Sequence, residues 1–345
     1  MVDLLLTCPP GLEDVVELEA MERVPYARIS KRPLGVKGHL LLSISDPEQV
    51  SSVLSMRSIH HVMRYVTSFR IGRGRDALNT IYREVAALDL DGVLNAGTRF
   101  RVTSARLGRH EFTSMDVQRT AGQALVDRFS SKVDLEHYDV EVRVDVVGEQ
   151  CIVGIALTRE SLHRRGYRAF HHRAALKPSI AYAMLRLAEP SKGNILVDPM
   201  CGSGTIPIEA ALSMRMLNLE LYGMDVNGVY IDGARADAER AGVGDRIRFM
   251  QYDCRMLDSM ITPDRIVTNP PYGIRMEPGI GIRRLYTGFA RAAYRAMVGG
   301  GRLVVITLKH GMMRDILSSV GFAVSRDVPV MHGDLWTHIL VGEKR

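Results

Sequence analysis

Short apolar runs alternate with longer amphipathic segments along the C-terminal half of the chain. Runs such as NILVD and RIVT have the length and composition of buried strands, and glycine-containing or proline-containing loops follow them. The predicted strands and helices occupy residues 194–198, 205–217, 219–225, 229–241, 246–252, 265–268, 286–297 and 302–308. Such alternation is typical of a parallel sheet with helices on both faces. The C-terminal half is therefore predicted to be an α/β domain.

Two further strand patterns end the chain. Residues 322–331 and 335–341 are separated by His-Gly-Asp, which has the composition of a hairpin turn. We therefore expect the parallel sheet to end in an antiparallel hairpin.

The N-terminal half has a different pattern. Helical segments are predicted at 76–88 and 115–132, and alternating strands follow at 139–147 and 150–158. This order indicates one or two small α+β modules, which a basic linker joins to the sheet domain.

Composition restricts the class of protein only loosely. The 345 residues, 46% hydrophobic and 24% charged, suit a globular protein of two or three domains. No apolar run approaches the roughly 18 residues of a membrane span, and the N-terminus does not resemble a signal peptide, so we expect a cytoplasmic protein. The four cysteines lie far apart without metal-ligand spacing, which predicts buried thiols and no metal. The net charge of +6 is compatible with a nucleic-acid partner.

A glycine-containing loop, DPMCGSGT, covers residues 198–205 after the first strand of the sheet domain. Glycines let a ligand approach the backbone at the carboxyl ends of the strands, although an ordinary tight turn would contain the same glycines. Pro207 occupies the position of the third glycine in the dinucleotide fingerprint, and no Gly-Lys-Ser/Thr is present. Both missing motifs bind phosphates. The nucleotide-like ligand that needs neither motif is S-adenosylmethionine, which carries no phosphate.

Acidic residues end the next two strands. Asp225 is placed to accept hydrogen bonds from ribose hydroxyls, and Asp253 from an adenine amino group. A single aspartate at a strand end is usually a helix cap or a solvated loop residue. Together with Asp198, however, three acids end three successive strands, which favours a nucleoside-binding edge.

The fourth strand stops at Asn269-Pro270-Pro271-Tyr272. Prolines fix φ and donate no backbone hydrogen bond, so the strand ends rigidly. The side-chain oxygen of Asn269 and the carbonyl of Pro270 can accept both N–H groups of an exocyclic amine, and Tyr272 offers a ring on which a base can stack. A plain turn with a core tyrosine is the alternative.

With these segments the chain resembles the amino-methyltransferases that have an Asn-Pro-Pro-Tyr motif. It is most similar to the THUMP-domain RNA guanosine N2-methyltransferases, especially those acting at position 6 of the tRNA acceptor stem. The residues that carry the resemblance are LKPS at 176–179, DPMCGSGTIPIEAA at 198–211, Asp225, Asp253 and TNPPYG at 268–273. Over the first 160 residues the likeness rests on pattern and size. A related group that methylates position 10 typically has Asp where this chain has Asn269, which favours the position-6 group or a ribosomal RNA relative.

The resemblance implies a Rossmann-like class I methyltransferase domain of α/β fold behind N-terminal α+β modules. The implied boundaries are 1–60 for a ferredoxin-like segment, 61–160 for a THUMP domain, 161–176 for the basic linker and 177–345 for the methyltransferase domain. It also implies tRNA as partner, S-adenosylmethionine as cofactor and S-adenosylhomocysteine as product. No obligate protein partner is inferred, and we expect a monomer.

The resemblance assigns site residues as well. Catalytic roles fall on Asn269, Pro270, Pro271 and Tyr272. Cofactor binding is expected from Lys177, Pro178, Asp198, Met200, Cys201, Gly202, Gly204, Thr205, Asp225, Val226, Asp253, Cys254 and Asn269.

Basic residues cluster in the linker, in the N-terminal half and in the loop after Tyr272. They suit contacts to RNA phosphates, which position a substrate without reading its sequence. The candidates are Arg164, Arg165, Arg168, Arg173, Arg106, Arg109 and Arg275. A solvated linker and an exposed strand face are the plainer alternatives.

The sequence therefore predicts methyl transfer from S-adenosylmethionine to N2 of a guanosine in tRNA. The same motif is common in adenine N6-methyltransferases, so an enzyme acting on ribosomal RNA or DNA is one alternative. A catalytically silent RNA-binding protein is the other.

Overall fold

The computed structural model describes residues 1–168, 175–273 and 281–345. These residues form two compact units. The first comprises Met1–Thr7, Glu17–Met56 and His60–Ser161, and the second comprises Cys8–Val16, Arg57–Ile59 and Leu162–Arg345.

The first half of the chain contains short strands interspersed with helices. In chain order they are β1 Val2–Thr7, α1 Glu13–Arg23, β2 Arg28–Lys31, β3 His39–Ile44, α2 Val50–Leu54, β4 His61–Arg70, α3 Ala77–Ala86, β5 Arg99–Thr103, β6 Arg106–Leu107, α4 Ser114–Phe129, β7 Lys132–Val133, β8 Val140–Val147 and β9 Gln150–Ala156. The predicted helices at 76–88 and 115–132 are confirmed as α3 and α4, and the predicted strands as β8 and β9.

One sheet runs through both predicted N-terminal modules. Its strand order is β2-β3-β1-β4-β9-β8-β5-β7, with β6 beside β8. Strand β4 is antiparallel to β1 on one side and to β9 on the other, so it joins the two halves of the sheet. Phe100, Val142 and Val144 face α3 and α4 in a buried apolar cluster that also contains Ile81 and Leu125. The α+β class predicted for this half is confirmed.

Helix α4 begins at a capping box. The Thr113 hydroxyl accepts the N–H of Asp116, and the Asp116 carboxylate accepts the N–H of Thr113, so two otherwise unpaired donors are satisfied.

The second half alternates strands and helices. In chain order they are α5 Pro178–Ala188, β10 Ile195–Asp198, α6 Thr205–Ser213, β11 Glu220–Asp225, α7 Gly228–Arg240, β12 Ile247–Gln251, β13 Arg265–Thr268, α8 Ile282–Ala296, β14 Arg302–Thr307, α9 His310–Val320, β15 Phe322–His332 and β16 Leu335–Lys344.

The second sheet has the order β12-β11-β10-β13-β14-β16-β15. Strands β10 to β14 are parallel to one another, whereas β16 is antiparallel to both β14 and β15. The predicted parallel sheet with a terminal antiparallel hairpin is therefore confirmed.

Both faces of this sheet are covered. On β10, Leu196 belongs to one apolar cluster and Val197 to the other, as the alternation of side chains along a strand requires. The first cluster contains residues of α5, α6 and α7, and the second contains residues of α8 and α9. The sheet is therefore sandwiched between helices.

Two helices of the second unit were missed from the sequence. In α5 every residue except Arg186 is buried, so no polar face marks it as amphipathic. Helix α9 follows β14 after only two residues and lacks a capping side chain at its start.

All four cysteines are buried, as predicted from their spacing. Among the described helices, none has the length and apolar character needed to traverse a membrane.

Candidate active site

The loop between β10 and α6 requires its glycines. Gly202 and Gly204 have φ angles of 51° and 73°, in the left-handed region that favours glycine. A Cβ on Gly204 would lie 3.0 Å from the Cβ of Ala234 and from the ring of Phe249. The amide of Cys201 donates to the carbonyl of Met224 at 2.7 Å, which fixes the loop against β11.

Asp198 ends β10 and is almost completely buried. Its side chain is 1% exposed and accepts the N–H of Met200 at 3.2 Å. Burial raises the pKa of this carboxyl to about 7, and the nearby charge of Asp225 acts in the same direction. A ligand that donates hydrogen bonds or carries positive charge would therefore stabilise its ionised form.

Asp225 ends β11 beside the same loop. One carboxylate oxygen accepts the N–H of Gly202 at 3.0 Å, and the other accepts the N–H of Asn227 at 2.9 Å. Each oxygen retains a further lone pair for a ligand. The next residue, Val226, is 69% exposed and offers an apolar surface at this edge.

Asp253 follows β12 and has two partners of its own. It accepts the N–H of Arg255 at the start of a short 3₁₀ helix, Cys254–Ser259, and forms an ion pair with the Arg255 guanidinium at 2.5 Å. The hydrogen bond from Arg255 is the main cause that lowers the pKa of Asp253. Asp253 is therefore a helix cap, which was the alternative to a ligand contact for an aspartate at a strand end. Burial raises the pKa of the neighbouring Cys254 thiol to about 12, so this thiol stays protonated.

The Asn-Pro-Pro-Tyr segment leaves β13 at the same edge. Val197 of β10 pairs with Ile266 of β13, so Asn269 lies at the edge where Asp198 ends β10. Among the described residues, neither the Asn269 side-chain oxygen nor the Tyr272 hydroxyl has a hydrogen-bond partner, although both atoms are buried. An unpaired buried polar atom costs about 1–3 kcal/mol. The side-chain oxygen of Asn269, which has no partner among the described residues, is therefore able to accept a hydrogen bond from a ligand.

Lys177 and Pro178 lie at the start of α5, with Pro178 as its first residue. Burial lowers the pKa of Lys177, and Asp334 opposes this. Burial and the charge of Lys177 together lower the pKa of His332 to about 4, so this imidazole is neutral at pH 7.

The predicted RNA contacts in the linker receive different environments. Arg165 is paired with Glu209 at 3.3 Å, and its side chain is 13% exposed. Arg168 donates to the Thr205 hydroxyl at 2.8 Å and to the carbonyl of Leu176. These internal bonds engage part of the guanidinium groups of Arg165 and Arg168, whereas the side chain of Arg164 is exposed.

The remaining basic candidates are only partly described. Arg106 and Arg109 are exposed in the first unit, where Arg106 donates to the carbonyl of Gly108 at 2.9 Å. Arg173 and Arg275 lie outside the described residues.

Sequence reasoning missed Glu209, which is fully buried on α6. Its carboxylate binds Arg57 at 2.8 Å, Arg165 at 3.3 Å and the Tyr167 hydroxyl at 3.0 Å. The available signal was a glutamate inside the apolar segment TIPIEAALS.

One group of metal-ligating residues exists among the described residues, formed by His310, Asp327 and His338. The two imidazole rings are stacked at 3.6 Å with an interplanar angle of 4°. An ion in the plane of one ring would lie well outside the plane of the other. Asp327 also forms an ion pair with Arg314, and one of its carboxylate oxygens lies 2.5 Å from the Nδ1 of His338.

A parallel sheet with a glycine loop after its first strand, acids at strand ends and a proline-rigid Asn-Pro-Pro-Tyr segment defines the class of Rossmann-like methyltransferases. Residues 165–338 match the family model described as an RMKL-like methyltransferase domain. Residues 75–156 match the model of the THUMP domain.

Similar proteins match this chain over nearly its whole length. The tRNA (guanine(6)-N2)-methyltransferase of Archaeoglobus fulgidus is 34% identical over 99% of this chain and 92% of its own. The protein of that name from Thermus thermophilus is 34% identical over 98% of each chain. The crystal structure of TrmN from Thermus thermophilus matches over 100% of each chain, with 33% identity and a TM-score of 0.79. The chain therefore belongs to the family of THUMP-domain methyltransferases that includes these proteins.

Proposed function

We propose that this protein transfers a methyl group from S-adenosylmethionine to the exocyclic N2 of guanosine 6 in the acceptor stem of tRNA. The observation that carries the proposal is the buried side-chain oxygen of Asn269 at the carboxyl edge of the sheet, which has no hydrogen-bond partner within the described part of the chain. The names of the relatives supply the substrate and the position. We further propose a monomeric enzyme of the cytoplasm.

The residues around the loop fit S-adenosylmethionine. The edge presents the carboxylates of Asp198, Asp225 and Asp253, which suit the ammonium, hydroxyl and amino donors of that molecule. Positive φ at Gly202 and Gly204 keeps the loop free of Cβ atoms where a ligand approaches. When bound, S-adenosylmethionine supplies a methyl group activated by its sulfonium.

The remaining cofactor assignments stay part of the proposal. Val226 would contact the adenine ring from its exposed position. The others are Lys177, Pro178, Met200, Cys201, Thr205, Cys254 and Asn269.

Asn269 and Pro270 would orient the target nitrogen. Guanine N2 is a poor nucleophile because its lone pair is delocalised into the ring. Two acceptors, the Asn269 oxygen and the Pro270 carbonyl, would bind both N–H groups and favour a more pyramidal nitrogen. Holding the nitrogen in near-attack geometry supplies up to ~7–11 kcal/mol of the barrier in favourable cases.

Tyr272 would contribute a stacking surface and no proton transfer. Its hydroxyl is buried, and this burial raises its pKa, so the side chain stays neutral. Base–aromatic stacking is worth about 1–3 kcal/mol per base. That gain offsets part of the few kcal/mol needed to take a paired guanine out of its stack.

Arginines would position the RNA through its phosphates. The candidates among the described residues are Arg164, Arg165, Arg168, Arg106 and Arg109, and Arg173 and Arg275 complete the proposed set. We also retain 1–60, 61–160, 161–176 and 177–345 as the proposed limits of the ferredoxin-like segment, the THUMP domain, the linker and the methyltransferase domain.

A tRNA transcript with inosine at position 6 tests the proposal. Inosine lacks the exocyclic amine but keeps the rest of the base, so labelled methyl transfer should occur with guanosine at position 6 and stop with inosine. A transcript with inosine at another acceptor-stem guanosine is the matched control and should be methylated normally. Undiminished transfer to the position-6 inosine transcript would refute the proposed site.

A further inference from the structure

Three hydroxyl and carbonyl groups form a chain beneath the Asn-Pro-Pro-Tyr segment. The Tyr286 hydroxyl lies 2.8 Å from the carbonyl oxygen of Pro271 and 3.0 Å from the Thr307 hydroxyl. The Thr307 hydroxyl lies 3.0 Å from the amide nitrogen of Lys309. Helix α8 and the end of β14 are thereby linked to the segment that follows β13.

The chemistry of these groups fixes the direction of the hydrogen bonds. A carbonyl oxygen only accepts, so the single O–H of Tyr286 is donated to Pro271. The Tyr286 oxygen then accepts from the Thr307 O–H, and the Thr307 oxygen accepts the N–H of Lys309. Each donor in the chain has one acceptor, and hydrogen bonds in series strengthen one another.

The two side chains in the chain are immobilised by packing. Tyr286 and Thr307 are fully buried, and Tyr286 belongs to the apolar cluster that contains Phe289 and Met313. Burial raises the pKa of Tyr286, so the phenol keeps its proton. Pro271 itself is exposed, so the Tyr286 hydroxyl links an exposed turn to the core.

The hydrogen bond distinguishes the Pro271 carbonyl from the acceptors proposed for the substrate. The Pro271 carbonyl accepts from Tyr286, whereas the Asn269 side-chain oxygen has no partner among the described residues. A rotation of the peptide after Pro271 would break the bond to Tyr286. The two acceptors proposed for the target amine, at Asn269 and Pro270, therefore precede an anchored peptide.

We propose that Tyr286 is a positioning residue, whose hydroxyl holds the 269–272 turn so that the Asn269 oxygen and the Pro270 carbonyl face the target amine. Thr307 orients that hydroxyl. The expected effect on turnover rests on the proposed methyl transfer, whereas the effect on the turn does not.

Hydrogen exchange tests the effect on the turn without any substrate. Tyr286→Phe should speed exchange of the amides of Tyr272 and Gly273 by roughly tenfold, as expected for the loss of one hydrogen bond. Tyr222→Phe is the matched control, because Tyr222 is also buried in this cluster and its hydroxyl accepts one hydrogen bond, from Arg248 at 2.6 Å. Unchanged exchange in Tyr286→Phe, or an equal increase in the control, would overturn the proposal.

Steady-state kinetics tests the consequence for turnover. A small displacement of the acceptors should lower kcat by about 10- to 100-fold in Tyr286→Phe, with KM for S-adenosylmethionine within twofold of wild type. Thr307→Val should lower kcat by a smaller factor than Tyr286→Phe does, and Thr307→Ser, which keeps the hydroxyl, should have the kcat of the wild type. The double variant Tyr286→Phe/Thr307→Val should be no slower than Tyr286→Phe. A loss of kcat and cofactor affinity in proportion to a loss of stability would indicate a purely structural role and overturn the proposal.

The two measurements separate the two proposals. If the wild type transfers no methyl group, the proposed function fails, and hydrogen exchange still decides whether Tyr286 holds the turn. If the wild type is active and Tyr286→Phe retains full kcat, the positioning role fails and the proposed function stands.

Discussion

Glu209 provides the sharpest test of how the second unit is stabilised. The carboxylate is fully buried and binds Arg57, Arg165 and the Tyr167 hydroxyl. The side chains of Arg57 and Arg165 are 20% and 13% exposed, so solvent screens these pairs weakly. Glu209→Ala would remove one acceptor from each of two guanidinium groups and from a phenol. Removing one partner of a buried ion pair costs about 3–5 kcal/mol.

The change should be measured by urea unfolding followed through tryptophan fluorescence. The chain has one tryptophan, Trp336 on β16, so the signal reports the second unit alone. Glu209→Ala should lower the unfolding free energy of this unit by about 3–5 kcal/mol. Glu209→Gln, which keeps an acceptor but loses the charge, should cost about 1.5–3 kcal/mol.

Glu220→Ala is the control, because Glu220 is an exposed glutamate at the start of β11. Its effect should stay within about 0.5 kcal/mol. A loss below about 1 kcal/mol in Glu209→Ala would refute the reasoning, since that is the range of exposed ion pairs.

Three further predictions concern the loop between β10 and α6 and the Asp198 that precedes it. The raised pKa of Asp198, about 7, means that its contribution to stability is present below the ordinary aspartate pKa and is lost as pH rises to 7. The loss of unfolding free energy is on the order of 4 kcal/mol. Asp198→Asn should therefore flatten the stability–pH profile between the ordinary aspartate pKa and pH 7, and an unchanged slope in this variant would contradict the assignment to Asp198. Because a ligand should bind the ionised form, S-adenosylmethionine affinity by calorimetry should rise with pH up to about 7 and then level off; no dependence between pH 5 and 7 would contradict this. Gly204→Ala should weaken cofactor binding and lower stability, because φ is 73° and the new Cβ would contact Ala234 and Phe249. The control is Gly242→Ala, where φ is 68° and the space around the new Cβ is open, so only the backbone strain of about 1–2 kcal/mol is expected. Equal losses of stability in both variants would contradict a role for packing at Gly204.

The sheet domain was predictable because its signals are local. Apolar runs of strand length ended at Asp198, Asp225 and Thr268, and the structure places the ends of those strands at one edge. The helical pattern at 229–241 became α7, Gly228–Arg240, with a cap at Asn227. Proline and glycine marked the loops correctly because they restrict or release φ at single positions.

Features that depend on distant residues were not predictable. The pairing of Glu209 with Arg57 joins residues 152 positions apart, and nothing near either residue indicates it. For the same reason Arg165, which has the local context of a phosphate ligand, became a partner of a buried carboxylate. The role of Tyr286 likewise depends on the packing of α8 beneath the end of β13. The joining of both N-terminal modules into one sheet through β4 requires strand pairing that alternation alone does not specify.

The central claim is that the Asn-Pro-Pro-Tyr segment directs methyl transfer to the exocyclic amine of guanosine in tRNA. The most direct measurement is nucleoside mass spectrometry of unmodified tRNA after incubation with the purified protein and S-adenosylmethionine. We predict N2-methylguanosine with the wild type and none with Asn269→Ala, although calorimetry should find nearly unchanged cofactor affinity in that variant. N6-methyladenosine, or equal product from wild type and Asn269→Ala, would contradict this role of the segment.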